Sequence, residues 1–320
     1  MAVDQISPLP ASVVTERRFR VMGSDAHIVI VGGDPTLAAE AEGRLRDLEA
    51  RWSRFIDTSE VSRINRYAGQ PVAVSADTAL LIRRSMEAWR FSAGAFDPTV
   101  LGAMLRAGYD RSFDQMGPNP APGFSTLVVG SADVHLEGNE VCVPEGCGFD
   151  PGGIGKGLAA DLVAEEVMAA GALGACVNVG GDLRVCGWGP DGPGWMVALE
   201  HPLVERPYGQ LHLTDGAVAT STTLRRRWSS DAGPRHHLID PQTGQPSTTD
   251  VALATTVARF AWVAEALAKA VILAGFAHPF DTLGGTGVEG LAVCESGELD
   301  TTEGLAAFLE HPLPARVCQD

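Results

Sequence analysis

Four of the eight residues in Asp150-Pro151-Gly152-Gly153-Ile154-Gly155-Lys156-Gly157 are glycine, and a stretch free of glycine and proline follows them to Ala170. So much glycine sits poorly inside a helix or a strand, so the segment must be a loop. The apolar stretch behind it predicts a helix of about fifteen residues, stopped near Gly171. Glycines beside a helix start let backbone N–H groups come close to a phosphate, and Lys156 adds a positive charge. A tight turn with no ligand explains the same glycines. A P-loop is excluded, because Asp150 stands where its first glycine belongs and Gly157 where its hydroxyl residue belongs. The run Gly155 to Ala160 fits the dinucleotide fingerprint G-x-G-x-x-A, and Asp182 follows the next strand. That keeps a Rossmann-type oxidoreductase as an alternative. Against it, Pro144, Gly146 and Gly148 separate the loop from the strand-like run ending at Val143.

The surrounding pattern mixes strands with isolated helices. Arg18 to Val31 predicts two strands about the turn Met22-Gly23-Ser24. Leu37, Ala41, Leu45, Leu48, Trp52 and Phe55 recur at helical spacing, predicting a helix over Thr36–Phe55. Ser75 reads as the N-cap of a second helix that Gly94 stops. A proline-rich loop spans 117–123, and strand-like runs lie at 127–129, 134–136 and 141–143. Cys176–Val179 reads as a buried strand, and Arg259–Ala274 as a last long helix. These elements predict an α+β fold of mixed or antiparallel sheets packed with helices. It is expected to be a single domain over 17–315 behind a disordered leader, 1–16.

The formal net charge of −16 argues against a nucleic-acid surface, which needs a basic stripe. It also means that a site for an anionic substrate must make its own local positive potential. No run is long and apolar enough to span a membrane, and Met1–Val14 lacks the features of a secretory signal. The six cysteines form no CxxC pair, and the cytoplasm is the expected compartment.

Two further segments carry chemistry. In Arg235-His236-His237-Leu238-Ile239-Asp240-Pro241-Gln242-Thr243-Gly244, His237 ends a strand beside a turn. There it could act as a general base or simply hydrogen-bond the turn. Arg225, Arg226 and Arg227 nearby are either a solvated face or a source of charge for an anion. From Phe260 to Ala274 the last helix carries only Glu265 and Lys269 as charged residues, at i and i+4 among apolar neighbours.

Seven segments, taken in order, resemble the ApbE family. They are Met22–Ser24, Ser59–Asn65, Gly94–Thr99, Asp150–Gly157, Asn178–Asp182, Ala219–Ser221 and His237–Pro246. The resemblance implies a T-fold-like α+β architecture and an FAD:protein FMN transferase. Such enzymes move FMN from FAD to a Thr or Ser hydroxyl of an acceptor protein and release AMP. A flavin-binding relative that does not catalyse transfer, or needs no metal, is the alternative. The resemblance places His237 as the base and Met22, Phe55, Ala95, Phe96, Asp97, Gly152, Lys156, Asp182 and Ile239 about the flavin nucleotide. For Phe55 and Phe96, core packing explains the residues as well. The family's magnesium positions fall on the Gly155 carbonyl, Glu265 and Lys269. A charged lysine has no lone pair to offer a cation. Lys269 is therefore expected to stand in the ion's place. Thr222 also replaces the glycine usual after the Thr-Ser pair.

Overall fold

The computed structural model describes residues 13–116, 130–230 and 233–317. Eight strands follow one another across the main sheet in chain order: β1 (Val14–Val21), β2 (Ser24–Val31), β3 (Gly174–Val179), β4 (Asp182–Gly189), β5 (Asp215–Thr222), β6 (Val251–Ala258), β7 (Glu289–Cys294) and β8 (Leu299–Thr301). A ninth short strand, Gly192–Pro193, pairs with β4. Every pairing of neighbouring strands in this sheet is antiparallel. That overturns the Rossmann alternative, which needs parallel strands and a glycine loop leaving one of them. Here the loop follows Glu140–Cys142, a strand of a separate three-stranded sheet.

Between β2 and β3 the chain lays down α1 (Leu37–Trp52), α2 (Glu60–Arg66), α3 (Ala76–Phe91), α4 (Leu101–Arg106) and α5 (Gly155–Ala169); α6 (Ala261–Ala274) comes between β6 and β7. Ser75 caps α3 as expected, its side chain accepting the Thr78 N–H. Helix α1 stops at Trp52, earlier than its apolar periodicity predicts, because Ser53 turns extended. Phe55 is thereby released from the buried stripe. Strand β1 begins at Val14, so the boundary drawn at residue 16 moves back, and residues 1–12 lie outside the described residues. The proline-rich loop at 117–123 and the run 127–129 lie outside them too.

Helix α5 packs on β3 and β4, α6 packs on β5 and β6, and the two helices pack on each other. The opposite face is covered by the hairpin Trp195–Leu199/Gly209–Leu213, whose Trp195, Leu199 and Leu211 join Val185, Leu291 and Val293 in one cluster. With both faces covered, β6 is buried at every residue. Leu253 and Val257 face the hairpin side, while Ala254 and Ala258 face α6. A register shift between Val251 and Leu253 returns Val251 to the α6 side, as an irregularity of one residue must. The small side chains of α6, with alanine at 261, 264, 266, 268 and 270, let it lie close to the sheet and to α5. At the crossing a Cβ on Gly157 would stand 2.4 Å from the Ala261 carbonyl oxygen. That residue is glycine because two helix backbones touch there.

Candidate active site

The α5–α6 crossing is held by two buried carboxylates that work in opposite directions. Asp161 of α5 accepts the N–H groups of Ala261 and Trp262, at 2.9 and 3.0 Å, and so caps the start of α6. Glu265 of α6 accepts the Gly157 N–H at 2.8 Å in the first turn of α5. The other oxygen of Glu265 takes the Lys156 ammonium at 2.6 Å and the Lys269 ammonium at 3.4 Å. Lys156 also pairs with Asp182 at the start of β4. Burial works against the Lys156 charge, but Asp182 and Glu265 more than offset it and hold the ammonium above the ordinary lysine range. Burial pushes the Asp182 carboxyl up to about 6 in spite of Lys156. Burial likewise pulls Lys269 below the usual lysine range, with Glu265 pulling the other way.

The glycine loop therefore does less phosphate cradling than its composition suggests. The Gly152 N–H is taken by Asp150, those of Ile154 and Gly155 by the Pro151 carbonyl, and that of Gly157 by Glu265. Gly153 is glycine for a steric reason, because a Cβ there would come within 2.5 Å of the Phe96 ring.

A cavity of about 410 Å³ opens beside this cluster. Met22, Phe55, Ala95, Phe96, Asp97, Gly152, Gly155, Lys156, His237, Ile239 and Lys269 all line it; Asp182 and Glu265 stand behind Lys156. Met22 reaches it from the β1–β2 turn, where Met22 and Gly23 have φ of 52° and 65°. Positive φ at both positions is the mark of a type I′ hairpin turn, easy for glycine and strained for methionine. The Met22 N–H is tied to Glu49 at 2.6 Å, and Arg226 donates to Ser24 Oγ at 3.1 Å. Phe55 lines the cavity and is 41% exposed, so core packing does not account for it, whereas Phe96 is 5% exposed, joins the core and also lines the cavity. Asp97 is engaged with the protein: its Oδ1 accepts from the Thr99 backbone and hydroxyl and from Ser131.

The two adjacent histidines differ in what holds them. His236 is buried and bonds the turn, through Nε2 to the Ser247 carbonyl and through Nδ1 from the Leu238 N–H. His237 lines the cavity, and its Nδ1 is buried without a hydrogen-bond partner among the described residues. Burial, reinforced by Arg226, Lys269, His236 and Lys156, holds His237 well below the usual histidine range. Its ring is uncharged at neutral pH, the state a proton acceptor needs.

Arg54 and Tyr109 also line the cavity and belong to no motif singled out above. Arg54 pairs with Asp150 at 3.1 Å, donates to the Tyr109 carbonyl at 2.9 Å, and lies 4.1 Å from the Phe55 ring centroid. The one sequence signal for it is an arginine beside an aromatic just past a helix end.

The metal positions test differently. Among the described residues, no three His, Cys, Asp or Glu side chains gather as a metal-binding group. Both Glu265 oxygens are committed, one to a backbone amide and the other to two ammonium groups. A divalent cation placed there would face two like charges, and the donor set does not fit one.

The model of the ApbE family matches residues 22–290, and the chain belongs to that family. It is 28% identical over 252 residues to the FAD:protein FMN transferase of Vibrio cholerae, covering 77% of this chain and 75% of that protein. The FAD:protein FMN transferase of Treponema pallidum is 30% identical over 241 residues, covering 69% and 66%. Among solved structures, the ApbE protein of Thermotoga maritima superposes with a TM-score of 0.83 at 25% identity, covering 93% of this chain and all of that one.

Proposed function

We propose that this chain is an FAD:protein FMN transferase, which moves FMN from FAD to a threonine or serine hydroxyl of an acceptor protein and releases AMP. The observation that carries the reading is His237, whose buried Nδ1 has no hydrogen-bond partner among the described residues, on a cavity that also holds Lys156, Lys269, Arg54 and Arg226. In this reading the flavin lies against Met22, Phe55 and Ile239, and the diphosphate faces the cations. The acceptor oxygen attacks the phosphorus on the FMN side. The bond from that phosphorus to the bridging oxygen breaks, AMP leaves with the oxygen, and the hydroxyl proton passes to His237. Glu265 and Asp182 position Lys156 and Lys269 without touching substrate.

The test is incubation with FAD and a flavin-acceptor domain, read by the mass of that domain and by AMP release. Gain of one FMN on a Thr or Ser, with AMP, is the expected result. The committed oxygens of Glu265 favour a second reading, a flavin binder that does not transfer. It would give bound FAD with an unchanged acceptor mass and no AMP. We also read residues 14–315 as one domain, since one core cluster draws on β1, β2 and α1 through α6 except α4. Among the described residues no helix is long and apolar enough to cross a membrane. We place the chain in the cytoplasm, in keeping with the free thiols at Cys142, Cys147, Cys176, Cys186 and Cys294.

A further inference from the structure

We propose that the Lys269 ammonium, seated on Glu265, meets the diphosphate of the dinucleotide directly, so that this chain binds FAD without a divalent metal. The inference rests on the flavin-nucleotide reading above. Of the cations on the cavity, Lys156 is locked between two carboxylates, Arg54 is paired with Asp150 and the Tyr109 carbonyl, and Arg226 is turned toward Gly23 and Ser24. Lys269 is held only loosely, by the Glu265 carbonyl at 3.3 Å and the Glu265 carboxylate at 3.4 Å. An ammonium has three donors, so its capacity is not spent on these long contacts. Its stem lies along the glycine loop, with Cδ 3.3 Å from the position a Cβ would take on Gly153. The head is therefore placed where the loop opens on the cavity. In a chain of net charge −16 a diphosphate needs a local cation, and a metal at Glu265 would have to displace both lysines.

The experiment is a set of titrations on the full chain. Magnesium alone, titrated into the ligand-free protein by calorimetry, should give no saturable binding; binding that Glu265→Gln removes overturns the inference. FAD affinity should agree within about threefold in EDTA and in magnesium, because no counter-ion is lost to the chelator. Affinity that collapses in EDTA and returns with magnesium overturns the inference while leaving the flavin site intact. Lys269→Met should weaken FAD roughly ten- to a hundredfold in either buffer, as expected for a lost charged hydrogen bond, and Lys269→Arg should restore most of it. A folded Lys269→Met protein, checked by its unfolding temperature, that keeps wild-type affinity also overturns it. Absence of FAD binding under every condition removes the flavin reading itself.

Discussion

Asp161 and Glu265 are the same device used twice. Each is a buried carboxylate on one helix of the α5–α6 pair that accepts backbone N–H groups from the first turn of the other. They differ in what lies on the far side. Asp161 is closed off by protein, with both oxygens on α6 amides and the buried Arg184 at 3.4 Å. Glu265 gives one oxygen to the fold and the other to two ammonium groups that border the cavity. A helix cap becomes part of a binding site when its second oxygen is used to aim cations outward.

The largest expected effect lies on the open side. His237→Ala should lower the transfer rate roughly 10²- to 10⁴-fold, the range for loss of a general base, while the FAD dissociation constant changes little. Rapid transfer by the mutant, measured by AMP release, would reduce His237 to a second turn residue beside His236. Next comes Glu265→Ala. Removing one member of a buried ion-pair cluster costs about 3–5 kcal/mol, because the charges left behind lose their partner. Here FAD should return part of that stability, its diphosphate standing in for the missing carboxylate. Thermal unfolding with and without FAD checks both statements. Gly157→Ala should cost roughly 1–3 kcal/mol through overpacking at the helix crossing, and should weaken both carboxylate contacts together. Asp161→Ala, a lost cap, should cost about 0.5–2 kcal/mol, with no recovery from FAD beyond that of the wild type. Equal rescue of the Asp161 and Glu265 variants would erase the distinction drawn between them.

The smallest effect is one of pH. The folded His237 ring holds its proton less tightly than it does in the unfolded chain. Stability from this group is therefore complete above the unfolded value of about 6.5 and declines as pH falls below it, since only the unfolded chain takes up the proton. The acidic limb of the transfer rate should likewise lie below pH 6.5, and a limb above it would contradict an uncharged native ring.

Much of this is legible in the sequence. The helices around Leu45, Ser75 and Leu158 were readable because apolar spacing and caps are local signals. The motif order placed Met22, Ala95, His237 and Ile239 on one cavity although they are far apart in the chain. Long-range pairing was not legible. The fingerprint from Gly155 to Ala160 looked like a nucleotide loop, but what selects Gly157 is the backbone of Ala261, a hundred residues on. Phe55 continued the period of α1, and only the extended backbone of Ser53 shows that the helix has already ended. His236 and His237 are indistinguishable as letters, and what separates them is the Ser247 carbonyl. Arg54 is not legible as a cavity residue because its partners, Asp150 and Tyr109, lie elsewhere in the sequence.

The pairing of β2 with β3 joins Ser24–Val31 to Gly174–Val179. All five of the early helices are strung on the chain between them. Closing that long loop carries an entropic cost that the β2–β3 pairing must repay, and the native burial of Ile28 and Ile30 depends in part on it. Refolding from denaturant should therefore be slow and sensitive to protein concentration, with aggregation competing at the step that joins the two strands. The cavity is built from both sides of that junction, with Met22 before it and His237 and Lys269 after it. The capacity to hold a flavin should thus appear only with this final closure, and recovery of bound-flavin fluorescence would time it.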